Sequence, residues 1–239
     1  MISAEGEISP LRRAELGFGR DDTLFYMTSE EVLEIFKKTG GYITGSHIVY
    51  TSGKHGEAYL NKDAIYPHTK EISTICREIA ERFKDKEIDV VAAPALGGII
   101  LSQWTAHHLS ELMDREVLGV YTEKTPDKNQ IFTRGYDQLV KGKKVLIVED
   151  ITNTGGSVLK VLNSVKVAGG EVIAISVLAN RDPEGINEKT LGVPFEPLAE
   201  IQMQAWDDAD CPLCKEGVPI NTTVGKGREY LEKKGKISS

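Results

Sequence analysis

The sequence predicts an α/β fold in which a parallel sheet carries helices on both faces. Short apolar runs at 89–93, 117–121 and 145–148 have the length and β-prone composition of buried strands. Segments with helical spacing of apolar residues alternate with these runs. Strands and helices that alternate at this spacing require right-handed crossovers, which place the strands in one parallel sheet.

Each predicted element has a local cause. The first helix can be capped by Thr28 or Ser29, with Glu31 available for a capping box. Glycines interrupt the β-rich region after it, and Pro94 ends the strand that follows the second helix. In chain order the predicted elements are a helix at 32–39, a β-rich region at 42–60, a helix at 72–83, a strand at 89–93, a helix at 98–112, a strand at 117–121, the strand at 145–148 with a loop and a helix after it, and a strand at 172–178.

The segment VLIVEDITNTGGS at 145–157 carries the strongest functional signal. Glu149 and Asp150 fall at the carboxyl end of a predicted parallel strand, where open α/β sheets bind ligands. The loop after them offers hydroxyl and backbone N–H groups at the start of a helix, which suit a phosphate by geometry and dipole. An acidic pair beside a phosphate loop implies a phosphorylated sugar. The candidate phosphate ligands are Thr152, Asn153, Thr154, Gly155, Gly156 and Ser157.

Two common nucleotide-binding motifs do not fit this segment. A nucleoside triphosphate loop usually ends in Gly-Lys-Ser/Thr, and there is no lysine between Glu149 and Lys160. The dinucleotide fingerprint places its glycines before the acidic residue, whereas here the acids come first. A strand followed by a capped helix with no ligand would explain the Thr and Gly residues, but it would not explain two adjacent acids.

The order of an acidic pair and then a Thr/Gly loop resembles the phosphoribosyl pyrophosphate (PRPP) motif of type I phosphoribosyltransferases. The resemblance implies the type I phosphoribosyltransferase fold, a parallel sheet with helices on both faces and a small β-rich hood. It also implies that Glu149 and Asp150 face the ribose hydroxyls and that the loop binds the 5-phosphate. Thr152 stands where that family more often has an aliphatic residue.

A second loop follows the strand at 89–93. Its backbone N–H groups precede a helix and can bind another anion beside the first, although small-residue turns between strand and helix are common. By resemblance this is the pyrophosphate loop of the family. Its residues are Ala95, Leu96, Gly97 and Gly98.

Two further features resemble orotate phosphoribosyltransferases within that family. The segment at 51–61, TSGKHGEAYLN, is similar to the hood segment that covers the base. Arg181 matches the arginine that meets the orotate carboxylate, and a planar guanidinium can grip a carboxylate with two hydrogen bonds. On sequence alone, a surface ion pair with Asp182 or Glu184 would explain Arg181 better, and the resemblance reverses this preference. The resemblance further implies that Lys54 and Thr154 contact orotate.

The polar stretch between Tyr121 and Gly142 is expected to be a mobile loop in the empty enzyme. By resemblance, the loop near 122–138 closes over the active site at or near the interface of a homodimer. Lys124 and Arg134 are then the catalytic cations for the pyrophosphate. This chain has no histidine in the loop, where the commoner orotate enzymes have one, and solvated surface charge is the alternative interpretation of Lys124 and Lys128.

The segment DCPLC at 210–214 resembles a tail found in one branch of the orotate enzymes. A single C-x-x-C motif could also be half of a zinc site or a redox pair. Zinc would need two more ligands, from Cys76 or from the five scattered histidines. A structural turn is therefore the favoured interpretation of Cys211 and Cys214.

Length and charge favour one enzyme domain with a small-molecule partner. The 239 residues carry 29 basic and 36 acidic side chains, a net charge of −7, which gives no general attraction to nucleic acid or to an anionic membrane. Three cysteines, an odd number, and the lack of an apolar signal-peptide core favour the cytoplasm. The predicted organisation is an N-terminal extension at 1–27, a catalytic domain at 28–203 with its hood at about 42–62, and a tail at 204–239.

The resemblance implies an Mg²⁺-dependent orotate phosphoribosyltransferase of pyrimidine biosynthesis with PRPP and orotate as substrates. The metal would be held mainly by PRPP near Glu149 and Asp150, with no site made by the protein alone. One alternative is a purine or other nucleobase phosphoribosyltransferase, which Arg181 and the hood segment disfavour. The other is a non-catalytic PRPP-sensing regulator that binds DNA or RNA, which the acidic charge disfavours.

Overall fold

The computed structural model describes residues 26–236, and the predicted extension at 1–27 lies almost wholly outside them. The helices are α1 Ser29–Lys38, α2 Thr69–Phe83, α3 Gly97–Met113, α4 Tyr136–Val140, α5 Gly156–Val167, α6 Glu188–Leu191, α7 Pro212–Lys215 and α8 Gly227–Lys233, with a 3₁₀ turn at Lys62–Ala64. The strands are β1 Tyr42–Ile43, β2 Ile48–Val49, β3 His55–Gly56, β4 Tyr59–Leu60, β5 Val90–Pro94, β6 Leu118–Lys124, β7 Gln130–Phe132, β8 Lys144–Thr152, β9 Glu171–Asn180 and β10 Phe195–Glu200.

The central sheet has six strands in the order β10-β9-β8-β5-β6-β7. All neighbouring strands are parallel except β7, which returns antiparallel beside β6. The chain order reverses direction between β5 and β8, so the loops after these two strands diverge and leave a crevice at the carboxyl edge of the sheet. The predicted α/β fold class is confirmed.

Successive side chains of the central strands pack alternately into two separate hydrophobic cores. Val91 and Leu146 pack with α1, α2 and α3 on one face of the sheet. Val90 and Val145, their neighbours in sequence, pack with α5 on the other face. Because successive strand residues point to opposite faces, apolar runs of this kind are buried on both sides, which explains why the strands lack polar alternation.

The hood consists of two short antiparallel ribbons, β1 with β4 and β2 with β3. The C-terminal tail packs against it. His47 forms a β-bridge with Ile220 and His55 forms one with Trp206. Backbone hydrogen bonds therefore hold the tail against the hood.

The cap of α1 is confirmed, since Thr28 and Glu31 form both hydrogen bonds of a capping box. The polar stretch after Tyr121 differs from its prediction. Most of it is not an irregular loop but the β6–β7 hairpin and α4, because the residues at 122–124 pair with 130–132. The β10 strand also has no counterpart in the prediction, since its PFEPLAE sequence contains a proline and alternates weakly.

Among residues 26–236, no helix is both long and apolar enough to cross a membrane.

Candidate active site

Glu149 and Asp150 lie in the last part of β8, which extends to Thr152 rather than ending before the acids. Both are buried, with 6% and 2% of their surface exposed. Burial and the neighbouring charge of Asp150 raise the pKa of Glu149 to about 8. Since the two carboxyl groups are adjacent and buried, the site disfavours two negative charges unless a cation or hydrogen-bond donors accompany them.

Two such donors come from a segment that the sequence reasoning did not single out. Lys62 Nζ and the Tyr66 hydroxyl each lie 2.8 Å from Oδ2 of Asp150. Burial opposes the charged form of Lys62, but the attraction of Asp150 outweighs it and raises the lysine pKa. Burial and the nearby acids raise the pKa of Tyr66 far above its usual value, so it donates its proton. Lys62 directly follows the segment at 51–61 in the sequence. This position is the one sequence feature that could have pointed to Lys62 as a site residue.

The phosphate loop is shaped by a glycine in the left-handed region. Gly155 has φ +69°, and a Cβ atom there would lie 3.1 Å from Cδ1 of Ile186. Thr152 Oγ1 accepts a hydrogen bond of 3.1 Å from the Gly155 N–H. No side chain caps the first turn of α5 within residues 26–236, so its N–H groups are open to an anion.

The predicted pyrophosphate loop packs directly on Asp150 of the acidic pair. A Cβ atom on Gly97 would lie 2.7 Å from Asp150 Oδ2 and would collide with the Tyr66 hydroxyl. The Ala95 N–H donates to the Thr122 carbonyl at 2.8 Å, which fixes the loop to the next strand. The Ala95–Leu96 peptide bond is cis. The structure therefore brings the two predicted anion loops together around Asp150.

Lys62, Asp150 and the loop residues Asn153 and Thr154 border a cleft of about 840 Å³ between the hood and the sheet. Arg181 stands on its wall with its guanidinium carbon 5.0 Å from the centre of the Tyr50 ring. Arg181 Nε is buried and has no hydrogen-bond partner among the described residues. An unpartnered guanidinium nitrogen beside an open cleft suits an anionic ligand. The lining comprises Tyr50, Thr51, Ser52, Lys54, Tyr59, Leu60, Asn61, Lys62, Asp63, Asp150, Ile151, Asn153, Thr154, Arg181, Asp182, Met203, Ala205 and Gly225.

The predicted site residues fall into two groups. Lys54, Asp150, Asn153, Thr154 and Arg181 all line the cleft. Within the described part of the chain, the other predicted site residues are not part of its lining: Ala95, Leu96, Gly97, Gly98, Lys124, Arg134, Glu149, Thr152, Gly155, Gly156 and Ser157. Arg134 instead forms an exposed ion pair with Glu123, with 2.8 Å between Nη2 and Oε1. Lys124 is exposed at the end of β6.

The local sequence explains why Arg181 reaches this site. It follows β9, and its N–H donates to the Thr152 carbonyl at 2.9 Å, so the arginine is tied to the phosphate loop. The surface ion pair with Asp182 or Glu184, the alternative interpretation, does not form among the described residues. Asp182 Oδ1 instead accepts the Gly185 N–H at 3.0 Å.

Comparisons with known proteins agree with this geometry. The family model described as phosphoribosyl transferase domain matches residues 61–193. The orotate phosphoribosyltransferase of Caldanaerobacter subterraneus is 39% identical over 194 residues, which cover 81% of this chain and 96% of the relative. That of Thermotoga maritima is 32% identical and covers 82% and 98% of the two chains.

Solved structures show the same fold. The orotate phosphoribosyltransferase of Mycobacterium tuberculosis in complex with Fe(III) dicitrate superposes with a TM-score of 0.57 at 21% identity, covering 71% of this chain and 96% of that one. The same enzyme in complex with PRPP superposes with a TM-score of 0.51 at 18% identity, covering 73% and 92%. An adenine phosphoribosyltransferase from Thermoanaerobacter pseudethanolicus gives 0.51 at 19% identity, covering 71% and 99%.

Proposed function

Because this chain belongs to the phosphoribosyltransferase family, and within it to the orotate phosphoribosyltransferases, we infer that it makes orotidine 5-phosphate and pyrophosphate from orotate and PRPP. This reaction is a step of pyrimidine biosynthesis. One observation of the site carries the substrate assignment: Arg181, whose Nε has no hydrogen-bond partner within residues 26–236, lines the same cleft as Asn153 and Thr154. A purine offers no carboxylate to that guanidinium, and relatives at 35–39% identity are orotate enzymes, so neither alternative is favoured.

The two loops are proposed to hold the two ends of PRPP. The first turn of α5, with Thr152, Asn153, Thr154 and the residues to Ser157, binds the 5-phosphate through N–H and hydroxyl groups. The backbone at Ala95–Gly98 binds the pyrophosphate, and the contact of Gly97 with Asp150 sets the spacing between the two anions. Glu149 and Asp150 lie between the loops and accept hydrogen bonds from the ribose hydroxyls.

Mg²⁺ is proposed as the cofactor. Asp150 Oδ2 already accepts from Lys62 and Tyr66, and the raised pKa of Glu149 shows a carboxyl that resists ionisation. One engaged carboxylate and one carboxyl that resists ionisation fit a cation that PRPP itself holds, rather than one caged by protein ligands. When bound, the metal would neutralise charge on the departing pyrophosphate.

The chemistry is a substitution at the anomeric carbon of ribose. Arg181 and Lys54 are proposed to fix the carboxylate of orotate so that its ring nitrogen faces that carbon, while pyrophosphate leaves from the opposite side. Lys124 and Arg134 would bring positive charge to the pyrophosphate when the β6–β7 hairpin moves toward the cleft. Closure would also exclude water and suppress hydrolysis of the activated sugar.

A homodimer and a cytoplasmic location are part of the proposal. Ile131 on β7 and Leu139 on α4 leave 43% and 42% of their surface exposed, which supports an interface near 122–138. Sedimentation equilibrium would test the dimer. All three cysteines are unbridged, which agrees with a reducing compartment.

The test is loss of orotate absorbance with PRPP and Mg²⁺, run beside hypoxanthine, guanine, adenine and uracil. Turnover of orotate alone supports the proposed reaction. Turnover of another base would retain the PRPP site and overturn the base assignment. No turnover with any base, while PRPP still binds in calorimetry, would contradict the enzymatic role.

A further inference from the structure

Four side chains with metal-binding atoms converge between the hood and the tail. They are His47, His55, Cys211 and Cys214, and one ligand atom of each lies within 4.8 Å of the others. His47, His55 and Cys211 have at most 1% of their surface exposed, and Cys214 is half-buried. The cluster joins two parts of the chain that are more than 150 residues apart. The two ligands that the C-x-x-C motif lacks are therefore histidines of the hood, whereas Cys76 lies in the core with α2.

The separations between these atoms suit a tetrahedral centre. Bonds of about 2.0–2.1 Å to nitrogen and about 2.3 Å to sulfur place nitrogen and sulfur about 3.6 Å apart around one zinc ion. His47 Nε2 lies 3.6 Å from the Sγ atoms of both Cys211 and Cys214. His55 Nδ1 lies 3.3 Å from Cys214 Sγ and 2.9 Å from His47 Nε2. Two distances, between the two nitrogens and between His55 Nδ1 and Cys214 Sγ, must each widen by a few tenths of an ångström.

The hydrogen bonds behind the cluster orient a lone pair of His47 toward it. His47 Nδ1 lies 2.8 Å from the Val218 carbonyl oxygen. A carbonyl only accepts, so Nδ1 carries the proton and Nε2 presents its lone pair to the other three side chains. A backbone carbonyl behind a ligating histidine is the usual support of a metal site.

His55 has the complementary arrangement. Its Nδ1 faces the cluster, and its Nε2 is buried without a hydrogen-bond partner among the described residues. The charged group beside that Nε2 is Asp208, whose Oδ1 is 3.9 Å away. Asp208 is held there by the Tyr230 hydroxyl at 2.7 Å and by Lys234 Nζ at 2.9 Å. With a cation on Nδ1, Nε2 would carry a proton directed at the Asp208 carboxylate.

We propose that His47 Nε2, His55 Nδ1 and the thiolates of Cys211 and Cys214 bind one Zn²⁺ ion in a Cys₂His₂ site. Mixed thiolate and imidazole ligands select zinc among the common hard and borderline cations. Four protein ligands fill a tetrahedron and leave no position for substrate or water. The ion is therefore structural, and it takes no part in the transfer reaction.

The position of the zinc site indicates which parts of the protein the ion would hold together. His47 and His55 belong to the β2–β3 ribbon, and the ion would connect this ribbon to the tail in addition to the two β-bridges. Lys54, which directly precedes His55, and Gly225 of the tail both line the substrate cleft. The Lys226 N–H donates to the Val49 carbonyl at 2.7 Å. The zinc would fix the wall of the cleft that faces the base.

The experiment is metal analysis of the purified full-length protein by plasma mass spectrometry. We expect about one zinc ion per chain in the wild type and a loss of at least about tenfold in Cys214→Ser and His47→Gln. Cys76→Ala and His107→Gln remove a thiol and an imidazole outside the cluster, so they should keep the zinc. Iron in place of zinc, or a wild-type chain free of metal, would overturn the proposal.

A second measurement does not depend on how the variants fold. Ellman titration of the native wild type should leave Cys211 and Cys214 unreactive until a chelator removes the zinc, and both should react afterwards. Replacement by Co²⁺ should give the absorption of a tetrahedral centre with thiolate ligands. A disulfide between Cys211 and Cys214, or equal thiol reactivity before and after chelation, would contradict the site. These experiments measure metal content and thiol reactivity. Their outcomes therefore do not depend on whether the protein turns over orotate.

Discussion

Lys62 Nζ lies 2.8 Å from Oδ2 of Asp150, which joins the end of the hood segment to the acidic pair across 88 positions of sequence. Asp150 is almost wholly buried, whereas 41% of the Lys62 side chain is exposed. The lysine thus supplies positive charge to the acids from the solvent side of the cleft. It links the end of the hood segment to the acidic pair that we propose to bind the sugar.

Lys62→Met should weaken PRPP binding. The variant leaves the buried carboxylate of Asp150 without its cation, so we expect the KM for PRPP to rise by about tenfold. The free energy of unfolding should fall by about 1–3 kcal/mol, less than for a fully buried pair because Lys62 is partly solvated. Initial rates and urea unfolding measure both effects. Lys37→Met removes a lysine paired with Glu34 on the surface and serves as the control. An unchanged KM in Lys62→Met would refute the role.

Glu149 should make the stability of the free protein fall as pH rises. Its pKa is about 8 in the folded chain against an ordinary value of 4.5. Between these values the folded state binds more protons than the unfolded state, so the contribution of Glu149 is complete below about 4.5 and is lost as pH approaches 8. In Glu149→Gln this dependence should be absent. Urea unfolding of both proteins from pH 5 to 8 measures the difference, and parallel curves would show that Glu149 ionises normally.

Substitution of Arg181 should weaken the binding of orotate and leave the binding of PRPP unchanged. Arg181→Lys keeps the charge but loses the planar fork, so we expect the KM for orotate to rise by between about tenfold and a hundredfold. The KM for PRPP should stay within about twofold. Arg77→Lys, at a surface arginine paired with Glu81, is the matched control. Equal increases for both substrates would mean that Arg181 supports the fold of the cleft and does not bind the base.

Gly97→Ala should disturb the contact between the pyrophosphate loop and Asp150. The new methyl group would lie 2.7 Å from Oδ2 and closer to the Tyr66 hydroxyl. We expect kcat/KM for PRPP to fall by about tenfold or more, because a small displacement of a positioned group is costly. Adding Tyr66→Phe removes the hydroxyl oxygen, the nearest of the three colliding atoms, and should restore part of the activity. No recovery in the double variant would place the effect elsewhere.

Lys124→Ala should lower kcat with little effect on stability. The side chain is exposed at the end of β6, so its removal disturbs no buried contact. Loss of a cation from the leaving group should reduce kcat by about tenfold or more. Lys128→Ala, in the turn of the same hairpin, is the control and should keep normal rates. Equal losses in both variants would indicate a general charge effect of the hairpin.

The sequence alone determined the fold class, and it placed an acidic pair and a Thr/Gly loop at the carboxyl end of a central strand. Apolar runs fix buried strands because their burial on two faces leaves no room for polar alternation, as at 90–93 and 145–148. The turn proposed to bind phosphate could also be predicted, because it rests on local backbone geometry at 152–157. In contrast, β7 and β10 lie at the edges of the sheet, where the sequence pattern is weak.

Only the tertiary structure decided which distant side chains meet. Lys62 reaches Asp150, Arg181 reaches the cleft, and the histidines of the hood reach the cysteines of the tail, because packing of the hood on the sheet and of the tail on the hood brings them together. Such contacts depend on the sum of many burial and hydrogen-bond terms spread over the chain. These contacts do not follow from any local spacing of residues. The sequence therefore showed which side chains could be ligands, but it did not show that they lie close together.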